Sequence, residues 1–183
     1  MKTFVTSDLH FFHENVIKFC NRPFGSVDHM NQELIKNWQM VVSPEDHVWM
    51  LGDFSFGTYK QTREVLEQLP GIKHLIVGNH DRKGRADKLF NRDWNQWFVD
   101  THDYYRLKLP QGKFVLCHFP MASWERGYIQ LHGHLHSSKG YQNKFRQYDV
   151  GVDANDYTPL LIYDAVIKAN NGEILISANE RYE

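Results

Sequence analysis

The chain has 183 residues, of which 42% are hydrophobic and 14% aromatic, and its formal net charge is −1. This length and apolar content predict one globular domain over residues 1–183 and exclude a disordered chain. The nearly neutral charge argues against a protein that binds extended nucleic acid over a wide face.

Histidines outnumber cysteines by eleven to two, and Cys20 and Cys117 are not spaced as a thiolate metal site. Any metal should therefore be held by nitrogen and oxygen ligands. No apolar run reaches transmembrane length, and charged residues follow Lys2 too soon for a signal peptide. We expect a cytoplasmic protein with reduced thiols and no membrane partner.

The first half of the chain alternates segments with strand and helix patterns. Strands are predicted over 1–7, 47–51 and 73–77, with amphipathic helices over 28–41 and 58–69 between them. Strands that alternate with helices in this way pair in parallel through crossover connections. We therefore expect the carboxyl ends of these strands to meet at one edge of a sheet.

The second half is richer in short strands. Residues 83–103 are interpreted as a helix or an irregular segment covering a sheet edge, and the turn at Pro110-Gln111-Gly112 predicts a hairpin. The remaining predictions are hairpin arms over 104–109 and 113–117, strands over 128–131 and 148–152, a helix over 160–169, and an edge strand over 173–177.

Polar side chains follow the apolar strands at five places. Each place alone has an ordinary explanation, such as helix capping, a turn or an exposed histidine. Together they would crowd at one sheet edge. Without a cation there, like-charged groups would repel one another and buried polar atoms would lie unsatisfied. The residues are Asp8 and His10, then Asp53, then Asn79, His80 and Asp81, then His118, and finally His134 and His136.

The number of candidate ligands suggests two metal ions. One ion could be held by Asp8, His10 and His136, the other by Asn79, His118 and His134, and Asp53 could bridge the two. In this interpretation, alternation along a strand directs Asp8 and His10 to one side, and likewise His134 and His136. Two divalent ions with two carboxylates and a bridging hydroxide leave a net positive site, which suits attack on a phosphate ester.

The order of these motifs resembles the calcineurin-like metallophosphoesterase family. The motifs are DxH at 8–10, GD at 52–53, GNHD at 78–81, a lone His118 after a strand, and GHxH at 133–136. The segments 21–24 (NRPF) and 118–120 (HFP) are also similar to the short bacterial and phage phosphoesterases of that family.

The resemblance implies an α/β fold, a four-layer α/β/β/α sandwich of two mixed β-sheets flanked by helices, with a dinuclear centre at the sheet edge. It implies the same ligand allocation, with His80 near the scissile group and Asp81 orienting it. We expect a phosphoesterase in which the bridging hydroxide attacks phosphorus and His80 acts as general acid. Mn²⁺ suits the mixed ligands best, and Fe or Zn would also fit.

The expected partner is a small phosphate ester or a nucleotide, and a diester is favoured because no long insertion is present to enclose a terminal phosphate. Candidate substrate contacts, for which core packing or surface exposure is the ordinary alternative, are His13, Arg22, Arg82, Trp124 and Arg126.

Three alternatives stay open on the sequence. A phosphomonoesterase or protein phosphatase of the same family has the same metal ligands. A nuclease is suggested by the basic cluster of Arg82, Lys83 and Arg85, although the net charge weighs against long substrates. A binding scaffold without activity is disfavoured by the presence of His80.

Overall fold

The computed structural model describes residues 1–82, 96–137 and 144–170, with the side chain of Arg82 excepted. The strands are β1 (Thr3–Thr6), β2 (His47–Met50), β3 (Ile72–Ile76), β4 (Phe98–His102), β5 (Tyr104–Leu109), β6 (Gly112–Cys117), β7 (Ile129–His132), β8 (Gln147–Asp149) and β9 (Leu160–Leu161). The helices are α1 (Glu14–Phe19), α2 (Val27–Val41), α3 (Tyr59–Gln68), α4 (Asn79–Arg82) and α5 (Ile162–Ala169), with a short 3-10 turn at Val152–Ala154.

The first sheet has the strand order β4-β3-β2-β1-β9, and its strands are parallel except for β9. Alternation along β1 and β2 separates two apolar faces. Phe4 and Val48 belong to the core beneath α2 and α3, whereas Val5 and Trp49 belong to the core shared with the second sheet. The first sheet is thus buried on both faces, as parallel sheets generally are.

The second sheet has the order β5-β6-β7-β8, in which β5 and β6 form an antiparallel hairpin and the other pairs are parallel. Phe114, Leu116 and Leu131 point into the core between the sheets, to which α5 contributes Ile162 and Ala165. Two mixed sheets packed together and flanked by helices are the architecture expected from the sequence, so the predicted fold class is confirmed.

The helices that cross between parallel strands begin at well-formed caps. The Ser26 hydroxyl accepts a hydrogen bond from the His29 amide at the start of α2. Thr58 and Gln61 form a reciprocal capping box at the start of α3. Since these two helices return the chain to the amino end of the sheet, β1, β2 and β3 all finish at the same edge.

Several element boundaries differ from the sequence interpretation. Residues 98–102, expected within a helix or irregular segment, form the parallel edge strand β4. The helix predicted over 160–169 begins only after the two-residue strand β9. The predictions for 83–95 and for the strand over 173–177 lie outside the described residues. Among the helices that are described, none has the length and hydropathy to cross a membrane.

Candidate metal centre

The loops that follow β1 and β2 lie side by side at the carboxyl edge of the first sheet. The Asp8 amide donates to the Gly52 carbonyl at 3.0 Å, and the His10 amide donates to the Asp53 carbonyl at 3.0 Å. The loops after β6 and β7 of the second sheet are joined in the same way, since the Gly133 amide donates to the His118 carbonyl at 3.0 Å. These backbone bonds hold the predicted ligands close together.

Most of the predicted ligands lie beyond the strands, in left-handed backbone conformation. This corrects the expectation that strand alternation directs Asp8 with His10 and His134 with His136. Left-handed geometry is uncommon for residues other than glycine and costs on the order of 1–3 kcal/mol each. The φ angles are 58° at Asp8, 53° at His10, 55° at Asp53, 73° at His134 and 49° at His136. Such a concentration of strain is typical of functional sites.

Two glycines let the ligand loops approach one another. A Cβ at Gly78 would collide with the Asp53 carboxylate and lie 2.6 Å from its amide nitrogen. A Cβ at Gly133 would collide with the Ser7 hydroxyl and the Asp8 carboxylate. Glycine at both positions is therefore required by the close packing of the two aspartates against neighbouring backbone.

The first candidate ion position lies between Asp8, His10 and His136. Asp8 Oδ1 is 3.8 Å from His10 Nε2 and 3.8 Å from His136 Nε2, and the ligand atoms of the three residues lie within 4.8 Å of one another. Asp8 Oδ1 and His10 Nε2 are buried and have no hydrogen-bond partner among the residues that the structure describes. Buried polar atoms without partners are costly, and a cation between them would satisfy both.

The second candidate position lies near Asp53, His118 and Asn79. Asp53 Oδ2 is 3.5 Å from His118 Nε2 and 3.6 Å from His10 Nε2, so one carboxylate oxygen lies between the two groups. The Asn79 Oδ1 atom is 2.9 Å from His118 Nε2. The His134 ring lies 5.2 Å from the His118 ring, and the His134 amide donates to Asp8 Oδ2 at 2.8 Å.

Three of the histidines have the outer ring nitrogen, Nδ1, engaged. His118 Nδ1 lies 2.7 Å from the Leu51 carbonyl and therefore carries the proton. His136 Nδ1 is 2.7 Å from Asp153 Oδ2, and His10 Nδ1 is 3.1 Å from His13 Nδ1. In each case Nε2 points to the space between the loops. A hydrogen-bond partner at Nδ1 orients a metal-ligating histidine ring in this way.

The ionisable groups in the centre perturb one another strongly. Burial lowers the pKa of His10 to about 4 and raises the pKa of Asp53 to about 6. Burial alone would raise the pKa of Asp8, but the neighbouring histidines hold it below its ordinary range. Burial opposes charge on His136 too, but hydrogen bonds to Asp153 and Cys20 and the charges of Asp8 and Asp153 together outweigh burial, and the pKa of His136 rises to about 10. A bound cation would replace protons at such a site.

His80 and Asp81 follow β3 in the short helix α4, but they point to different surroundings. The His80 side chain is 46% exposed, and its Nε2 lies 4.0 Å from Asp53 Oδ2. The Asp81 carboxylate is buried and accepts three backbone hydrogen bonds, from Gly78 at 2.7 Å, Asp53 at 2.9 Å and Phe54 at 3.0 Å. Burial raises the pKa of Asp81 and these N–H groups oppose the rise.

The role predicted for Asp81, to orient His80, stays a prediction. In the described residues both Asp81 oxygens accept from backbone amides, and these bonds join the carboxylate to the loops that carry Asp53 and Gly78. The His80 ring packs beside Phe56, with 4.9 Å between ring centroids. Phe56 also stacks on His13 at 3.9 Å.

The structure describes the surroundings of four residues predicted to contact substrate. Arg22 is 4% exposed, and all its N–H donors point to protein atoms. His13 lies against Phe56 and His10, and Trp124 donates to the Tyr128 carbonyl within its own loop. Arg126 is exposed. The predictions for the Arg82 side chain, Lys83 and Arg85 lie outside what the structure describes.

Asp153 was not identified from the sequence, although it contacts a candidate ligand. It follows Val150, Gly151 and Val152, so an apolar residue, a glycine and, one residue later, a carboxylate occur here, similar to the Leu-Gly-Asp at 51–53 but with one more residue. That repeated pattern is the signal that could have identified it. Phe56 had no such signal, because an aromatic residue after a strand is usually part of a core.

Comparison with known proteins shows the family to which the sequence is similar. The family model described as calcineurin-like phosphoesterase matches residues 1–173. The chain is similar to the uncharacterized protein MJ1445 of Methanocaldococcus jannaschii, with 34% identity over 98% of this chain and 97% of that protein. It is also similar to the gene 66 protein of Mycobacterium phage D29, with 35% identity over 85% and 90% of the two chains.

A solved structure extends the similarity to the fold. The protein AQ665 of Aquifex aeolicus, described as a protein of unknown function, superposes with a TM-score of 0.70 and 25% identity, covering 90% of this chain and 97% of that one. The relatives match most of the sequence, and the family model includes every motif from Asp8 to His136. The chain belongs to the calcineurin-like phosphoesterase family.

Proposed function

We propose that the protein is a phosphoesterase with two divalent metal ions that hydrolyses phosphodiesters of small or nucleotide-like substrates. The observation that carries the proposal is the position of Asp53 Oδ2 between His10 and His118, with a buried and unpartnered Asp8 Oδ1 beside it. Family membership supports the chemistry, because calcineurin-like phosphoesterases are metal-dependent.

The ligand assignment follows the two groups. Asp8, His10 and His136 would hold one ion, and Asn79, His118 and His134 the other, with Asp53 shared. Nitrogen and oxygen donors in these numbers suit Mn²⁺, Fe or Zn better than Mg²⁺, which prefers oxygen ligands. When bound, two such ions activate water and neutralise the charge of the phosphoryl oxygens.

His80 is the proposed general acid. Its side chain is half exposed at the rim of the centre, where the Nε2 atom lies on the side of Asp53. From there Nε2 can donate a proton to a leaving ester oxygen, which is worth roughly 10²–10⁴-fold in rate. His80 is held in place through its backbone, since its amide donates to Asp53 Oδ1 at 2.9 Å.

The preference for diesters rests on the charges around the centre. A terminal phosphate carries a second negative charge, which arginine is well suited to bind through paired N–H donors. Arg22, one of the three arginines predicted to contact substrate, does not supply such a contact, because its donors are all engaged by protein atoms. A diester lacks the second charge and depends more on protonation of its alkoxide leaving group. A phosphomonoesterase or protein phosphatase is the alternative, and a nuclease or an inactive scaffold ranks below it.

A substrate panel on metal-loaded protein tests the proposal. Protein stripped with EDTA and reloaded with Mn²⁺, Fe²⁺ or Zn²⁺ is assayed on an aryl diester, an aryl monoester, 2′,3′- and 3′,5′-cyclic nucleotides, and a phosphopeptide. We expect metal-dependent activity that is greatest on a diester. A clear monoester preference would favour the phosphatase alternative, and full activity in excess EDTA would refute the metal mechanism.

The His80→Ala variant tests the general acid. Loss of rate should be larger for an alkyl or nucleotide ester than for a nitrophenyl ester, whose leaving group hardly needs a proton. Metal content should be unchanged, because His80 is not assigned as a ligand. His29→Ala, which removes an exposed histidine from α2, is the matched control. Equal losses on both esters would contradict the assignment.

A further inference from the structure

The guanidinium of Arg22 joins two distant parts of the chain beneath the metal centre. Its Nε and Nη2 atoms donate to the two oxygens of Asp153, each at 2.8 Å, which is a bidentate pair. Nη2 also donates to the Asp8 carbonyl at 2.7 Å, and Nη1 donates to the Leu9 carbonyl at 3.0 Å. One side chain therefore contacts both the backbone of the DxH loop and a carboxylate 131 residues further along the chain.

Asp153 connects Arg22 to a candidate ligand, His136. Its Oδ2 atom accepts from Arg22 and also lies 2.7 Å from His136 Nδ1. The 3-10 turn that carries Asp153 is fixed against the end of β1, because the Val152 amide donates to the Ser7 carbonyl at 3.0 Å. Asp153 is thus positioned by two separate contacts.

These contacts form a closed circuit around the first ion position. The Asp8 carbonyl is held by Arg22, Arg22 is paired with Asp153, and Asp153 holds His136 through Nδ1. His136 Nε2 then lies 3.8 Å from the Asp8 carboxylate, the residue at which the circuit began. Movement of any member would change the distance between two of the ligands.

We propose that Arg22 and Asp153 are positioning residues that set the affinity of the first ion position, an inference that rests on the ligand assignment of the proposed function. A carboxylate behind a ligating imidazole fixes its tautomer and makes it a stronger electron donor to metal. In the described part of the chain, the group behind the His118 ring is the Leu51 carbonyl and not a carboxylate, so loss of Asp153 should weaken one position and leave the other.

Metal binding by the full-length protein provides the test. Mn²⁺ titration calorimetry and elemental analysis are performed on the wild type, Asp153→Asn, Arg22→Lys and His118→Ala. We expect Asp153→Asn to lower the affinity of one ion per chain by about 10–100-fold, the usual effect of losing such a partner, while the second ion still binds. His118→Ala should affect the other ion.

Arg22→Lys separates charge from geometry. A lysine keeps the positive charge near Asp153, but it cannot donate in parallel to a carboxylate and to two carbonyls. We therefore expect this variant to lose affinity at the same ion position as Asp153→Asn. Asp46→Asn is the control, because Asp46 is a buried residue whose carboxylate accepts amide hydrogen bonds from Lys2 and Ser43, outside the centre.

A second measurement covers a variant that folds poorly. In the metal-free wild type, the nitrogen chemical shift of His136 Nδ1 should show a proton that is hydrogen-bonded to Asp153. That chemical shift should change in Arg22→Lys. If Asp153→Asn and Arg22→Lys bind metal as tightly as Asp46→Asn, this inference is overturned and the proposed function is not affected. A wild type that binds no ion would overturn the proposed function as well, so the two failures are distinguishable.

Discussion

Replacement of Asp81 by asparagine tests whether this residue serves stability or catalysis. The carboxylate accepts three buried N–H groups, two at Oδ2 from Gly78 and Asp53 and one at Oδ1 from Phe54. An asparagine oxygen can keep the first two bonds, but its NH₂ group then faces the Phe54 amide. One buried donor is left without an acceptor, at a cost of about 1–3 kcal/mol.

The expected consequence is a loss of thermal stability. For a chain of this size, 1 kcal/mol corresponds to roughly 2–4 °C in Tm, so Asp81→Asn should unfold about 2–12 °C below the wild type in a metal-free thermal scan. Asp81→Ala leaves all three amides unsatisfied and should fall further. Since the Asp53 amide is among them, metal affinity should fall too.

The rates decide between the two roles. If Asp81 only anchors the loops, aryl and alkyl esters should lose rate by the same factor. The control Asp46→Asn also removes a buried acceptor of backbone amides, so it should lower Tm without affecting metal binding. An unchanged Tm together with a loss of rate confined to the alkyl ester would refute this reasoning. Asp81 would then have the role of orienting His80.

Three further predictions concern the centre itself. Asp53→Asn should deplete both ions in elemental analysis and Asp8→Asn mainly one, because Asp53 Oδ2 lies near histidines of both groups; equal depletion would show the allocation is wrong. Gly133→Ala should cost about 1–3 kcal/mol in urea unfolding by overpacking against Asp8, and an unchanged midpoint would contradict the close approach. The pKa of His136 is raised to about 10, so its ring must lose a proton to bind metal, and Mn²⁺ affinity should rise with pH from 6 to 8. Calorimetry in buffers of different ionisation enthalpy should show that a proton is released on binding. An affinity that does not change with pH would contradict this deprotonation.

The elements that the sequence predicted well are those with strong local signals. Helices α2 and α3 combine apolar periodicity with capping residues, and the hairpin of β5 and β6 combines alternation with a turn. Strand β4 was missed because Asp100 and His102 occupy positions that an ordinary buried strand would fill with apolar residues. Asp100 instead lies 2.9 Å from His74 Nδ1 on the neighbouring strand, and such a pairing is invisible in a single sequence.

The candidate ligands could be found because each follows an apolar strand, whatever its backbone conformation. Their outer partners could not be found in that way. The pairing of Arg22 with Asp153 depends on a separation of 131 residues, and no spacing rule connects the two. Likewise, whether Asp81 faces an imidazole or three amides is decided by the turn of α4, which residue type alone does not determine.

The contacts between Arg22 and Asp153 also bear on the order of events during folding. Two ligands of the first ion position come from residues 8–10 and the third is His136, so the position can close only after most of the chain has been synthesised. Contacts over such separations form late, since a large loop must be closed before they contribute. An ion captured by the amino-terminal loop alone would have only Asp8 and His10 as ligands and should dissociate readily. The first ion position should therefore bind metal stably only once the two sheets have assembled.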